Sequence, residues 1–184
     1  MSKHTLAVLV ENSPGVLARV ASLFSRRAYN IDSLAVGPTE NPDLSRMTIV
    51  LNVEGHVLDQ VMAQVYKLVN VIAVSEMPVD STVHRELLLV KVGAEKMDEV
   101  LAVVARYDAK VVDEDEEALT IECTAESVHI EALLKALTPF GIKELVQSGL
   151  VALERGTAAL SDRTLSAQGI STLHEISTQA DYQN

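Results

Sequence analysis

The apolar residues of this chain change their spacing in a fixed order, and that order occurs twice. Short alternating or continuous apolar runs are typical of strands, and longer stretches with apolar residues three or four positions apart are typical of helices. From His4 to Val74 the order is strand, helix, strand, strand, helix, strand. It repeats from Arg85 to Leu153, with a last strand expected to be bulged or broken at Gly149. This is the order of a split βαβ sandwich. The sequence therefore predicts an α+β protein, an α/β sandwich of two ferredoxin-like βαββαβ domains.

Breaks in this pattern set the predicted domain boundaries. The first domain covers residues 4–77 and the second covers residues 84–156, with a linker between them. Two cores of roughly 75 residues each are marginal alone, so association between subunits is expected. After Gly156 the composition shifts to Ser, Thr, Gln and Ala with weak apolar patterning. Residues 157–184 are therefore expected to form a flexible or loosely helical tail.

Composition and charge argue against several classes of partner and site. The 184 residues carry a formal net charge of −11 and only 3% aromatic residues, which argues against nucleic acid and anionic membranes as partners. The single cysteine, Cys123, allows no intramolecular disulfide and no cysteine-based metal cluster. Its alternation with Leu119 and Ile121 predicts a position in the core.

The sequence shows neither a signal peptide nor an apolar stretch approaching the ~18 residues that span a bilayer. A cytoplasmic protein is expected.

Signatures of catalysis and of metal binding are missing from the sequence. It contains no Walker A loop, no G-x-S-x-G and no G-x-G-x-x-G. The histidines lie in different predicted elements without a ligand partner three or four residues away, which favours surface or structural roles over metal binding. They are His4, His56, His84, His129 and His174. The acidic run 113–117 is expected to be a solvated hairpin turn rather than a cation site. The arginines along the first helix are expected to form a solvated face or a subunit contact rather than an anion site; they are Arg19, Arg26 and Arg27.

The loop after the first strand is the most informative stretch for binding. Ser13 is expected to cap the following helix, with Pro14 at its first position. Free backbone N–H groups and the helix dipole favour a carboxylate there, and Gly15 lets a ligand approach the backbone. Asn12 in this loop and Asn30 before the second strand add amide groups, and an α-amino acid needs both donors and acceptors. The residue types leave a second interpretation equally open, a helix start and a turn residue without a ligand.

Longer blocks of sequence carry a resemblance to a known family. A strand followed by ENSPGVL and a helix resembles the ligand loop of ACT domains, which are small βαββαβ modules that bind amino acids at subunit interfaces. Ordered blocks across both halves resemble the acetolactate synthase small subunit. These blocks are RRAYNIDSL (26–34), SRMTI (45–49), KLVNV (67–71), ELLLVK (86–91) and QSGLV (147–151). The resemblance covers roughly residues 4–156, nearly everything except the tail.

The resemblance implies a regulatory subunit that performs no catalysis and holds no cofactor itself. In that family the first domain is an ACT domain, and the ACT domains of two chains pair with valine between them. Valine then inhibits a large catalytic subunit that uses thiamine diphosphate, Mg²⁺ and FAD, and the small subunit activates that partner. The loop residues implied in effector binding are Asn12, Ser13, Pro14, Gly15, Val16 and Leu17. Asn30 is implied from the second chain of a homodimer.

Three alternatives accompany this interpretation. The first is an ACT-type amino-acid sensor that regulates a different biosynthetic enzyme, against which the second domain and its block 86–91 argue. The second is RNA binding, which ferredoxin-like sheets also support, although the acidic charge and scarce aromatics argue against it. The third is an enzyme in its own right, for which the sequence offers no set of catalytic residues.

Overall fold

The computed structural model describes residues 2–162 of the chain. By their contacts these residues form two compact units. The first contains residues 2–83 and 152–162, and the second contains residues 84–151. Each unit is an antiparallel sheet with two helices, so the predicted α+β class and the two ferredoxin-like domains are confirmed. The predicted boundaries at 77, 84 and 156 stay predictions, and most of the predicted tail lies outside the described residues.

The first unit contains a four-stranded sheet in the order β2-β3-β1-β4. Its elements are β1 (Ser2–Glu11), α1 (Val16–Arg26), β2 (Ile31–Pro38), β3 (Leu44–Val53), α2 (Gly55–Tyr66) and β4 (Val71–Glu76). Alternate residues of β1 lie in one core with both helices, since Leu6, Val8 and Val10 are fully buried there. Glu11 at the end of β1 pairs with Leu44 at the start of β3. The β1–α1 loop and the β2–β3 turn therefore lie at the same end of the sheet.

Helix α1 ends in a Schellman motif. The N–H of Tyr29 donates to the carbonyl of Phe24 at 3.1 Å, and the N–H of Ala28 donates to Ser25 at 3.1 Å. Ala28 has a φ of 55°, the left-handed conformation that usually selects glycine at this position. This motif turns the chain sharply and places Asn30 directly before β2.

The second unit has the same topology, in the order β6-β7-β5-β8. Its elements are β5 (Thr82–Gly93), which begins in the first unit, α3 (Met97–Arg106), β6 (Lys110–Glu114), β7 (Ala118–Ala125), α4 (Ser127–Leu137) and β8 (Ile142–Gln147). Strand β9 (Val151–Glu154) begins at the last residue of the second unit and continues in the first. Strands β8 and β9 both pair with β5 and are separated by residues 148–150, so the predicted break near Gly149 is confirmed. Cys123 is 3% exposed in the core, as its alternation predicts.

Glu86 is a buried carboxylate that ties three elements of the second unit together. It is 7% exposed on β5. The hydroxyl of Ser127 on α4 donates to its Oε1 at 2.5 Å, and the side-chain amide of Gln147 on β8 donates to its Oε2. Hydrogen bonds of this kind satisfy a carboxylate that burial would otherwise destabilise.

Candidate functional site

The β1–α1 loop, residues 12–15, is exposed along its whole length. Helix α1 begins at Val16, and its first hydrogen bond runs from the N–H of Arg19 to the carbonyl of Gly15 at 3.0 Å. Gly15 is the N-cap residue, and no side chain caps the helix. The predicted cap by Ser13, with Pro14 in the first helical position, is therefore wrong. A turn from Ser13 to Val16 comes before the helix, and it requires a positive φ of 85° at Gly15.

The start of α1 offers two free hydrogen-bond donors. Within residues 2–162, the N–H groups of Leu17 and Ala18 have no acceptor. A Cβ built on Gly15 meets no atom within 4 Å, so there is open space beside this residue at the start of the helix. A carboxylate placed there accepts two N–H groups at the positive end of the helix dipole. Leu17 is 43% exposed and adds apolar surface beside the donors.

Asn12 attaches this loop to the β2–β3 turn. Its backbone N–H donates to the carbonyl of Asp43 at 2.7 Å, and its side-chain Nδ2 donates to the carbonyl of Pro42 at 2.9 Å. One of the two N–H groups of the Asn12 side-chain amide is thus used within the protein. The side-chain oxygen is suited to accepting a hydrogen bond from a ligand ammonium group.

A network that the sequence analysis did not identify supports the same loop from the helix side. The N–H of Glu11 donates to the carbonyl of Asn70 at 2.9 Å, and the Asn70 side-chain amide donates to the Glu11 carboxylate at 2.5 Å. The guanidinium of Arg19 donates to the Asn70 side-chain oxygen. Because Glu11 and Asn70 are 59 positions apart, no local spacing signals this network.

Asn30 lies at the other end of α1 from the loop. Helix α1 has 11 residues, which corresponds to a length of about 16 Å. Asn30 is exposed, and its side-chain amide donates to the carboxylate of Asp32 at 2.9 Å. A single chain therefore does not bring Asn30 to the loop. Its role in binding stays a prediction that requires a second copy of the chain.

Comparisons with known proteins agree with this architecture over both units. A model of the AHAS small subunit-like ACT domain matches residues 6–73, and a model of the small subunit of acetolactate synthase matches residues 85–156. The acetolactate synthase small subunit of Mycobacterium leprae is 54% identical over 155 residues, covering 83% of this chain and 92% of that protein.

The chain belongs to the acetolactate synthase small subunit family. A probable small subunit from Archaeoglobus fulgidus is 48% identical, covering 84% of this chain and 98% of that protein. The crystal structure of the acetolactate synthase small subunit from Thermotoga maritima superposes with a TM-score of 0.80 at 34% identity, covering 86% of this chain and all of that one. The resemblance stated from the sequence is thus confirmed.

Family membership places the loop in a defined domain. The ACT match over residues 6–73 includes the whole β1–α1 loop and Asn30, and it connects this small subunit to branched-chain amino acid biosynthesis. The family model for the second domain ends at residue 156, while the described chain continues to Asp162. The last part of this continuation includes Leu160, which is 7% exposed.

The histidines that the sequence analysis considered as possible metal ligands have structural partners in the chain. His4 Nδ1 lies 2.8 Å from the Glu76 carboxylate, and His129 Nε2 lies 2.8 Å from the carbonyl of Tyr107. His84 is 8% exposed. In the part of the chain that is described, no three His, Cys, Asp or Glu side chains are grouped to hold a metal ion. The same part contains no helix with the length and apolar character needed to cross a bilayer. His174 lies outside it.

The acidic run 113–117 forms the end of β6 and the turn into β7. Asp115 accepts the N–H of Glu117 at 2.7 Å and the N–H of Ala118 at 2.8 Å. These two backbone hydrogen bonds, more than any other cause, lower the pKa of the Asp115 carboxyl below its ordinary value. The run thus has a structural role as a hairpin turn. Burial raises the pKa of the Cys123 thiol in the adjacent core, which keeps this cysteine protonated and unreactive.

Proposed function

We propose that this small subunit senses a branched-chain amino acid, valine first among them, and regulates a separate catalytic subunit of acetolactate synthase. The observation that carries the proposal is the pair of N–H groups at Leu17 and Ala18, which have no acceptor among the described residues and lie at the exposed start of α1. This geometry suits the carboxylate of a free amino acid. Family membership supports the catalytic partner, because the relatives are named small subunits of acetolactate synthase.

The energies of such a site suit a metabolite sensor. Hydrogen bonds from the two N–H groups to a charged carboxylate are worth roughly 1.5–3 kcal/mol each. Covering an isopropyl group against Leu17 adds about 1.5–3 kcal/mol at most. Loss of translational freedom and ordering of the loop offset much of this sum. A dissociation constant between about 1 μM and 1 mM is therefore expected.

A homodimer completes the proposed site. Strand β2 is an edge strand that pairs only with β3 among the described strands, and Val36 on it is 46% exposed. If two β2 strands pair antiparallel about a two-fold axis, Ile31 of one copy approaches Pro38 of the other. Pro38 leads into the turn that holds Asn12. This pairing brings Asn30 of one copy toward the loop of the other, which neither copy achieves alone.

In the proposed function the partner, the catalytic subunit, carries out the reaction. Thiamine diphosphate, Mg²⁺ and FAD are assigned to the catalytic subunit, and this chain supplies only effector binding and contact with that subunit. The purified chain is expected to form no acetolactate from pyruvate. Added to its catalytic subunit, it is expected to raise the rate and to make that rate sensitive to valine. Turnover by the isolated chain, free of catalytic subunit, contradicts this assignment.

Mixed dimers test the composition of the site directly. Gly15→Asp and Asn30→Ala homodimers are both expected to lose valine binding in calorimetry. A dimer with one subunit of each variant regains one intact site of two, because its wild-type loop faces a wild-type Asn30. Half the wild-type stoichiometry in the purified mixed dimer supports the proposal, and no recovery refutes the shared site. Wild-type affinity in either homodimer places the site elsewhere. Calorimetry of the wild-type chain with leucine, isoleucine, lysine and threonine distinguishes a sensor of branched-chain amino acids from a sensor for another pathway.

A further inference from the structure

Most of β9 and the residues that follow it belong to the first unit of the structure. Residues 152–162 cluster with the ACT domain, although residues 152–156 are matched by the family model of the second domain. The N–H of Arg155 donates to the carbonyl of Ser81 at 2.9 Å, and Leu160 is 7% exposed. We call residues 152–161 the return segment. Because the chain enters it directly from Val151, it is a covalent connection from the second domain back to the ACT domain.

Arg46 on β3 holds the return segment by its backbone. Its Nη2 donates to the carbonyl of Ala152 at 2.8 Å and lies 3.9 Å from the sulfur of Met77. The side chain is partly buried, and this burial lowers the pKa of its guanidinium. The nearby carboxylates of Glu40 and Glu154 act in the opposite direction and favour the charged form. A charged donor on a backbone carbonyl, away from bulk water, is among the stronger kinds of hydrogen bond.

The return segment also lies against the end of the β2–β3 hairpin. A cavity of about 370 Å³ separates the two, with Pro38 and Thr39 on the hairpin side and Leu153 and Leu160 on the segment side. Arg46 lines the same cavity. The segment and the hairpin therefore line one cavity, and the hydrogen bond from Arg46 to the Ala152 carbonyl joins β3 to the segment beside it.

The same hairpin turn, residues 39–43, also holds the candidate effector loop. Asn12 donates to the carbonyls of Asp43 and Pro42, as described above. The turn is internally braced, because Asp43 N–H donates to the Asn41 side chain at 2.9 Å and Leu44 N–H donates to the Asn41 carbonyl at 3.0 Å. The turn is thus bonded to the loop through the Asp43 and Pro42 carbonyls, and Thr39 and Glu40 line the cavity beside the return segment.

We propose that the β2–β3 turn couples the effector loop to the return segment, with Arg46 as the positioning residue. Effector binding at Asn12 then changes how firmly residues 152–161 are held, and the second domain receives that change through the continuous chain. The identity of the effector rests on the function proposed above. The coupling between Asn12 and Arg46 is a property of this chain alone and is measured without an effector.

Amide hydrogen exchange of the full chain tests the coupling. Arg46→Met is expected to lower the protection of the Arg155 N–H about tenfold or more, because it removes a charged hydrogen bond from the segment. Arg46→Lys keeps the charge and restores part of that protection. Arg27→Met is the matched control, since Arg27 is exposed at the far end of α1, and it leaves the protection unchanged. If Arg46→Met perturbs the whole fold, Leu160→Ala releases the segment without changing Arg46.

A double-mutant cycle decides between coupling and independent contacts. Asn12→Ala loses the bond to Pro42 and is expected to lower Arg155 protection about threefold to tenfold, while the control Asn52→Ala on the exposed part of β3 does not. In the Arg46→Met background Asn12→Ala has no further effect if the two act through one turn. Unchanged protection in Asn12→Ala, or effects that multiply in the double variant, overturns the proposal.

A second measurement uses the reconstituted enzyme. Arg46→Met is expected to bind valine within about threefold of wild type in calorimetry, because the loop itself is intact, but to lose most of the maximal inhibition. Arg46→Lys recovers part of the inhibition and Arg27→Met retains all of it. Full inhibition in Arg46→Met overturns the regulatory role of this residue. If the wild-type chain binds no branched-chain amino acid, the proposed function fails, and the exchange cycle still decides the coupling.

Discussion

Replacing Gly15 tests the link between backbone conformation and binding at the loop. The φ of Gly15 is 85°, and its Cβ position is open. An alanine there clashes with no neighbour, so the whole cost is that of a left-handed L-residue, about 1–2 kcal/mol. For a domain of this size that cost lowers Tm by roughly 4–8 °C for each kcal/mol.

Gly55→Ala is the matched control for stability. Gly55 also has an open Cβ position, but it is the first residue of α2 and has no positive φ. Alanine at a compatible position stabilises by about 0.4–1 kcal/mol. Urea denaturation of the two variants is therefore expected to shift the midpoint in opposite directions. Equal stability of Gly15→Ala and Gly55→Ala refutes the argument from φ.

Gly15→Asn and Gly15→Asp separate shape from charge in the same position. Both residues tolerate the left-handed region better than alanine does, so both are expected to destabilise the fold less than Gly15→Ala. Asp adds a negative charge where the ligand carboxylate is expected, and the helix N-terminus itself tolerates that charge. Gly15→Asp is therefore expected to bind valine much more weakly than Gly15→Asn. Equal valine affinities in calorimetry would show that the ligand carboxylate does not approach this backbone.

Three further predictions concern stability. Ala28→Gly is expected to stabilise the fold by roughly 0.5–1 kcal/mol because glycine adopts the left-handed φ at no steric cost. Ala18→Gly inside the same helix is expected to destabilise the fold by a similar amount, and chemical denaturation measures the sign of the change in the free energy of unfolding for both variants. Glu86→Ala removes a buried carboxylate that accepts two hydrogen bonds and is expected to cost about 1.5–3 kcal/mol, while Glu131→Ala on the exposed face of α4 changes little in the same assay. The carboxyl of Asp115 is expected to titrate below ordinary aspartate in an NMR pH series. Because its folded pKa is lowered, its stabilising effect is present above the unfolded pKa of about 3.9 and is lost as the pH falls through the folded value; an unshifted titration contradicts the hydrogen-bonded turn.

The order and the buried faces of the elements were predictable from the sequence. Val16, Val20 and Leu23 recur at helical spacing and are the buried face of α1. Alternation of Leu119, Ile121 and Cys123 likewise predicts the inner face of β7. Such signals are local, because the period of apolar residues reports which side of an element faces a core. The loop before α1 was recognisable for the same reason.

The contacts that hold the candidate loop were decided by the tertiary structure. Ser13 and Pro14 suggest an ordinary helix start, yet the turn from Ser13 to Val16 makes Gly15 the N-cap residue, and Asn12 before it is held by the Pro42 carbonyl across the end of the sheet. A local preference for a cap is worth about 1 kcal/mol, the same order as one hydrogen bond, so contacts made elsewhere in the fold are able to override it.

The same reasoning applies to the contact between β3 and the return segment. Arg46 and the carbonyl of Ala152 are 106 positions apart. Residue identity shows that an arginine can donate to a carbonyl, but it does not show which carbonyl the folded chain brings near. Sequence patterns record the period of each element, whereas contacts between distant residues depend on the register and packing of whole elements, which form only when the core closes.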